Sequence, residues 1–444
     1  MDKKMLRTIM ASMIGTVIEW YDYALYGTAA ALIFSKLFFP ELDGAVGTVL
    51  AFATFATGFV VRPIGGIIFG VLGDRIGRKY VLLFTIILMG TATTLMGVLP
   101  TYNQIGYWAP LLLVFLRILQ GLGSGSEYAG AVINVVESAP IKRRGLLGAL
   151  PACGVAVGLL LSSGAFALVQ LLPNEAFMSW GWRIPFLISF LFIIIGIILR
   201  SKLDETPVFE EVKQQKKRVK NPVKTAFRSH PKEVIIAWMI SITENSLGYL
   251  FQTFLVAYVA QQLKMPASLT LISLMSLSLV QLISLPLFGA LSDKVGRRPL
   301  IIGGCITSAL FAFPLFWLLN TKNSFLIVLS IVLATSIFKS AISAAQGTWF
   351  CELFSSNLRY TSFAVGREFP TIIGGLMPTI ASAVLIWSGG QTWGISLIIV
   401  AFSLIALVGA LIGPENSKLD LNDIKPRGFN QNSTMQELKS RVSQ

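Results

Sequence analysis

The sequence predicts an all-α polytopic membrane protein of twelve transmembrane helices in two pseudo-symmetric six-helix bundles. Three observations predict it. First, the 444-residue chain is 54% hydrophobic and only 13% charged, with a mean hydropathy of +0.71, whereas an ordinary soluble chain has about 25% charged residues. Second, the apolar residues come in blocks such as 81–99, 184–199, 269–291, 300–319 and 392–413, each close to the ~20 residues a helix needs to cross ~30 Å of hydrocarbon. Third, the basic residues alternate between connections. Lys and Arg concentrate at Lys3–Arg7, Arg75–Lys79, Lys142–Arg144, Arg200–Lys232, Lys294–Arg298, Arg359 and the C-terminal tail. Connections 40–46, 100–106, 173–180 and 388–391 have none, and two others carry only Lys264 and Lys322. This is the positive-inside pattern for both termini in the cytoplasm. The formal net charge of +14 therefore reports topology and attraction to anionic lipid, not a nucleic-acid partner.

The first span, 11–36, is apolar apart from Glu19 and Asp22, and is too long for a cleaved signal segment. Spans 47–72, 80–99, 107–137, 146–171 and 183–200 complete an N-terminal bundle over residues 1–200. Residues 201–232 are dense in charge and Pro, which suits a cytoplasmic connection. Spans 233–262, 269–291, 299–319, 325–352, 361–387 and 391–413 make the second bundle, 233–413. The tail, 414–444, reads as polar and mobile, with one short helix starting at Ser433 or Thr434 from a T-x-x-E capping signal. Asn432-Ser433-Thr434 matches a glycosylation acceptor, but a cytoplasmic tail makes it meaningless. Tyr107, Trp180 and Trp182 suit the outer interface.

An internal repeat supports the division. FGVLGDRIGRK begins at Phe69 and FGALSDKVGRR at Phe288, 219 residues on, each at the turn after the second span of its half. Two halves related in this way are a transporter architecture with its site between the halves. The stretches Gly70–Lys79 and Gly289–Arg298 resemble the loop signature of the major facilitator superfamily. Residues 15–27 (GTVIEWYDYALYG), 62–66 (RPIGG), 117–131 (RILQGLGSGSEYAGA), 137–145 (ESAPIKRRG), 179–186 (SWGWRIPF) and 204–209 (DETPVF) resemble its metabolite:proton symporter branch. That branch carries α-ketoglutarate, citrate, shikimate, proline or betaine. The resemblance covers residues 10 to 413, more specifically in the first half. Gly125-Ser126-Glu127 departs mildly from the family's Gly-Gly-Glu, and Glu244, Lys339, Arg367 and Glu368 match no signature of the family. The resemblance implies the major facilitator fold, a bacterial inner membrane, and a loop whose Asp74, Arg75 and Arg78, with Asp293, Lys294 and Arg297, control conformation and hence rate more than substrate choice.

A charge at the centre of a span costs ~2.5–3.5 kcal/mol on insertion scales, so it faces a protein interior or a water-filled cavity. At about 100° per residue, Gly15, Glu19, Asp22, Tyr23 and Tyr26 share a face of roughly 80°, as do Arg117, Gln120, Ser124 and Glu127. Arg117 is the expected partner for Asp22 or Glu19, and Gly121 with Gly125 allows close helix packing. The candidate proton-coupling residues are Asp22, Glu19 and Glu127, in that order. The alternative for each is a structural ion pair. His230, the single histidine, falls in the connection and is read as a solvated surface residue. Glu244 shares a face with Gly248 and Gln252, and Ser336, Lys339, Ser343 and Gln346 form another stripe. Lys339 or Arg367 either pairs with Glu244 or Glu368 across spans or stays free to hold a substrate carboxylate, Arg bidentately. The candidate substrate-binding residues are Tyr23, Tyr26, Arg117, Gln120, Glu244, Lys339, Gln346 and Arg367. Arg62, beside Pro63 and Gly65, suits helix bending or close packing at least as well as substrate contact.

No nucleophile constellation, phosphate loop, filter or metal spacing appears, and Cys153, Cys305 and Cys351 all lie in apolar segments. The expected protein is not an enzyme and has no cofactor. It is expected to be a monomeric transporter, partnered by a small metabolite, protons and the lipid bilayer: a proton-coupled symporter for an organic acid or zwitterion. An uncoupled facilitator or exporter, or a nutrient sensor of the same fold, would share these features.

Overall fold

The computed structural model describes residues 3–76, 78–125, 127–201, 222–356 and 358–421, and among these all regular structure is helical. Ten helices are long and apolar enough to cross a membrane, with the third span contributing a shorter apolar helix, Leu83–Val98. The first span is less apolar because Glu19, Asp22 and its ring hydroxyls lower its hydropathy. Twelve long helical segments result, in the expected order. Large apolar side chains such as Ile68, Leu168, Ile283, Leu310 and Trp317 are exposed on the outside of the bundle, where hydrocarbon would cover them.

Four of the segments are interrupted, and they are the first, fourth, seventh and tenth. The first runs as α-helix Lys3–Ala29, a π-turn Ala30–Phe34 and a last turn Ser35–Phe38. The fourth is two helices, Trp108–Gly123 and Glu127–Ser138. The seventh, after a short helix Pro222–Ser229, holds π-turns at Leu250–Phe254 and Tyr258–Gln262. The tenth has one at Leu333–Lys339. Each π-turn adds a residue and rotates the next stretch of helix, and such turns concentrate at functional sites. The break in the fourth span corrects the single face expected there: Glu127 opens a new helix and does not extend the Arg117 stripe.

Small residues set how closely spans two and four approach. A Cβ on Gly121 would lie 2.1 Å from the Gly58 carbonyl oxygen, and one on Gly125 2.3 Å from that of Arg62. The expected G-x-x-x-G contact is thus made, against span two. Across the two halves, spans five and eight meet through Gly145 and Gly289, where an added Cβ would stand 2.6 and 2.7 Å from the other's carbonyl oxygen. Spans two and eleven meet at Gly375, which fits against Phe59.

Three expectations outside the spans change. Trp182 is buried against Phe34, Phe38 and Phe186 and does not face the interface. The tail is not wholly free: Glu415 accepts the Arg298 N–H at 2.8 Å, and the Leu419 and Leu421 carbonyls accept from Arg144 at 3.1 Å and Arg359 at 2.9 Å. The helix expected from Ser433 or Thr434 lies outside the described residues. His230 is buried, not solvated. It precedes the helix Pro231–Tyr249, hydrogen-bonds Ser355 Oγ at 3.0 Å and packs edge-on against Phe354. Ser355 is 125 positions away, so local sequence carries no sign of it.

Burial lowers the His230 pKa from its ordinary 6.5, against a weaker opposing pull from Glu233. The folded protein therefore keeps the ring neutral where the unfolded chain takes up a proton. Stability from this group is level above about pH 6.5 and falls as the pH drops below it, by at most about 1.4 kcal/mol per pH unit. His230→Gln is expected to flatten that acid slope in thermal unfolding between about pH 7.5 and 5.5. An unchanged slope would show that the ring is protonated in the folded protein.

Candidate functional site

A small cavity lies between the two halves. The second half supplies most of its wall: Glu244, Asn245, Gly248, Tyr249 and Gln252 from span seven, Gln281 and Leu285 from span eight, Lys339 and Ser343 from span ten, and Arg367 from span eleven. Trp20, Tyr128, Ala152 and Val155 close it from the first half. Trp20 stacks on Tyr249, centroids 5.9 Å apart. The face of Glu244, Gly248 and Gln252 read from the sequence is therefore a cavity face.

The two cations of this wall are held differently. Lys339 Nζ donates to Glu244 Oε1 at 2.7 Å and to Ser343 Oγ at 3.0 Å, while Ser343 donates to the same carboxylate oxygen at 2.9 Å. This is the cross-span pairing offered as one alternative. Arg367 has a looser hold. Its guanidinium lies 3.6 Å from the Tyr128 ring centroid, its Nη1 is 4.0 Å from Glu368 Oε1, and its Nε has no hydrogen-bond partner. Gln346 does not line the cavity; it donates to Ser241 Oγ at 3.1 Å.

Beside the cavity stands Arg62, which is buried. Its Nη2 meets Glu19 Oε1 at 2.5 Å and the Ser124 carbonyl at 3.2 Å, and its Nε meets Glu368 Oε2 at 3.0 Å. One guanidinium thus joins spans one, two and four to span eleven. Sequence reasoning gave Arg62 a packing role and missed this. The available signal was its position, level with Glu19 and flanked by Gly65 and Gly66, which let spans two and four close around it.

The expected pairing of Arg117 with Glu19 or Asp22 is not made. Arg117 Nε donates to the Phe55 carbonyl at 3.2 Å, Nη1 donates to Gln120, and the guanidinium lies 4.4–5.4 Å from the ring centroids of Tyr23, Tyr26, Phe55 and Phe59. Gly58 leaves it room, since a Cβ there would lie 2.7 Å from Arg117 Nε. A buried cation is ordinarily paired; here ring faces take that part. Tyr23 bonds Ser124, Tyr26 bonds Thr54 and Gln120 bonds Thr93, each at 2.7 Å. These four candidates form a closed cluster behind Phe59, which packs on Tyr249 at 4.6 Å, and they do not line the cavity.

Asp22 is buried, with Oδ1 accepting from Ser189 Oγ at 2.7 Å and Oδ2 without a hydrogen-bond partner. Among the described residues no ion pair is formed by it. Glu127 begins its helix within electrostatic reach of Glu19.

Both ends of the cavity are shut by contacts between halves. At one end Thr48 donates to Gln261 at 2.8 Å, and Gln261 donates to the Ala31 carbonyl at 2.6 Å. At the other, Asp293 accepts the Gly145 and Leu146 N–H groups at 2.7 and 2.9 Å, capping the positive end of the helix Arg144–Val169. Arg297 bonds Asp293 at 2.9 Å and grips Glu352 at 3.2 and 3.1 Å. Arg144 reaches Glu352 at 3.5 Å, and Arg359 joins Glu137 at 2.6 Å. Lys294 is exposed and joins none of this. The side chains of Asp74, Arg75 and Arg78 lie outside the described residues. Glu352, Arg144 and Glu137 were not foreseen; only their shared end of the spans links them in sequence.

Twelve helices, a central cavity between two halves and buried charge shared across them define a secondary-transporter architecture. The family model for the Major Facilitator Superfamily matches residues 12–367, and the chain belongs to that superfamily. It is 36% identical to the shikimate transporter of Escherichia coli over 418 residues, covering 93% of this chain and 95% of that one. It is 31% identical to the glycine betaine/proline/ectoine/pipecolic acid transporter OusA of Dickeya dadantii, covering 96% and 86%. Among solved structures, the proton:xylose symporter XylE bound to 6-bromo-6-deoxy-D-glucose superposes with a TM-score of 0.76 at 16% identity, covering 95% of this chain and 98% of that one. The protein is a multi-pass membrane transporter of small metabolites and not an enzyme.

Glu352 is fully buried between two guanidinium groups. Glu352→Ala would leave both without this carboxylate and is expected to destabilise the protein by about 3–5 kcal/mol, read as a fall in thermal unfolding temperature. Glu352→Gln, which keeps an acceptor, should fall less; equal stability of Ala and wild type would contradict the pairing.

Proposed function

We propose that this chain is a proton-coupled symporter. It imports a small organic acid or zwitterion by alternating access, and it sits in a bacterial inner membrane with both termini cytoplasmic. The observation that carries the reading is Asp22: a wholly buried carboxylate outside any ion pair among the described residues, with one oxygen lacking a hydrogen-bond partner. An acid so placed is costly when ionised. It gains from a proton in one arrangement and from water or a cation in another, which is what a coupling group needs. Arg117, held on rings and not by a carboxylate, is the nearby cation able to take Asp22 when spans one and four shift against each other within the first half.

The compounds for which the two relatives are named, shikimate, glycine betaine, proline, ectoine and pipecolic acid, all carry a carboxylate. In this cavity Arg367 is the cation with the looser internal contact, and it offers a planar donor fork to such a group. Lys339 and Ser343 both bond Glu244 Oε1 and so orient its carboxylate. Trp20, Tyr128 and Tyr249 supply apolar walls with polar edges, while Asn245, Gln252 and Gln281 can read hydroxyl or amine groups. Tyr23, Tyr26 and Gln120 act behind the wall, positioning Arg117. The contacts of Asp293 with the Gly145 and Leu146 N–H groups and of Arg144 with Glu352 hold the halves together at one end and release as the halves rock.

Empty proteoliposomes offered a panel of carboxylates, amino acids and betaines from outside, with and without an inward proton gradient, test the reading. Wild type should accumulate its substrate only with the gradient. Asp22→Asn should lose accumulation at least about tenfold while substrate exchange across the vesicle persists. A mutant that concentrates substrate normally removes Asp22 from the coupling role, and gradient-independent uptake by wild type points to a facilitator.

A further inference from the structure

Four charged side chains form a continuous buried row beside the cavity: Glu19, Arg62, Glu368 and Arg367. The separations are 2.5, 3.0 and 4.0 Å in turn. The row crosses from the first half to the second at the Arg62–Glu368 contact, and its last member, Arg367, lines the cavity. Two acids and two cations make it neutral. Around it, Glu127 on span four also faces Glu19, and Tyr23, Tyr249 and the Ser124 carbonyl surround Arg62. Glu244 is balanced by Lys339. Asp22 lies one turn along the first span.

Resting on the symport reading, we infer that Glu368 carries substrate binding at Arg367 to the first span, drawing a proton onto Glu19. The reason is the charge of the row. A substrate carboxylate at Arg367 adds a negative charge beside buried groups and competes with the 4.0 Å contact to Glu368. Glu368 then depends on Arg62 alone, and Arg62 is shared with Glu19. Excess buried charge is costly unless paired or neutralised. A proton on Glu19, whose Oε2 has no hydrogen-bond partner, restores neutrality and leaves Arg62 to Glu368. By reciprocity, protonation of Glu19 tightens substrate binding by the same factor. The two first-span acids thereby divide the work: Glu19 answers to substrate occupancy and Asp22 to the change of access.

Removing the Glu368 charge breaks this link in a defined way. With Gln at that position the row carries one net positive charge, which the substrate carboxylate itself neutralises, so no proton is drawn in. The same holds for Gln at position 19.

The test counts protons taken up on substrate binding to the purified protein in weak buffer with a pH indicator, using the carboxylate whose uptake the proteoliposome assay records. Wild type should take up about one proton per substrate, and Glu368→Gln and Glu19→Gln close to none. The wild-type Kd should rise by up to about tenfold per pH unit across the titration, and that of Glu368→Gln should stay within about twofold. If Glu368→Gln binds substrate and takes up as many protons as wild type, the inference is overturned. If that variant does not fold, Glu19→Gln decides alone, by the same count. Failure of the symport reading is seen separately, as wild-type vesicles that ignore the proton gradient; wild type that uses the gradient yet binds substrate without proton uptake overturns only the role of Glu368.

Discussion

The guanidinium of Arg62 is the constraint around which the middle of this protein is arranged. It is buried, and it holds carboxylates from both halves, Glu19 and Glu368, at 2.5 and 3.0 Å. Such a group brings little net stability, because desolvation offsets attraction, but losing one partner leaves an uncompensated charge. Its worth is positional. Spans one, two and eleven must keep their register for three charges to meet, and the glycines of spans two and four allow the backbones close enough to enclose them.

Two kinds of buried cation result from that arrangement. Arg62 and Lys339 are satisfied by carboxylates; Arg117 is satisfied by rings and carbonyl groups. The rings of Phe59 and Tyr249 stand between the cavity and Arg117. A carboxylate entering the cavity therefore meets Arg367 first. Two of the helix interruptions lie beside the cavity. The tenth-span π-turn ends at Lys339, and the seventh-span π-turn begins directly after Tyr249, so both cavity residues sit at a change of helical pitch.

The two ends close by different chemistry. One is sealed by amide and hydroxyl contacts through Gln261, and the other by a network of Arg144, Asp293, Arg297 and Glu352, with Arg359 and Glu137 alongside. Charged contacts at a helix terminus can be exchanged for water at modest cost when exposed, which suits an end that opens. The segment after span twelve lies against that same network through Leu419 and Leu421.

The class of fold was legible in the linear chain. Span length, the alternation of basic connections and the repeat at Phe69 and Phe288 are one-dimensional consequences of crossing hydrocarbon and of internal duplication, and the family match agrees with them. The charged residues of the spans were equally plain, because a charge in an apolar run needs no structure to be conspicuous. Helical spacing placed Glu244, Gly248 and Gln252 on one face correctly. It misplaced Glu127, since the helix stops at Gly123 and a new one opens at Glu127, a break that lies where Gly125 meets Arg62 and Gly66 of another span. Partnership is a matter of how the helices pack. Whether Arg117 meets Asp22 or a ring cage, whether Arg62 meets Glu368 some 306 positions away, and whether His230 meets Ser355 all depend on distances between helices. Spacing along one helix sets the direction of a side chain; the neighbour it finds there belongs to the packing of the others.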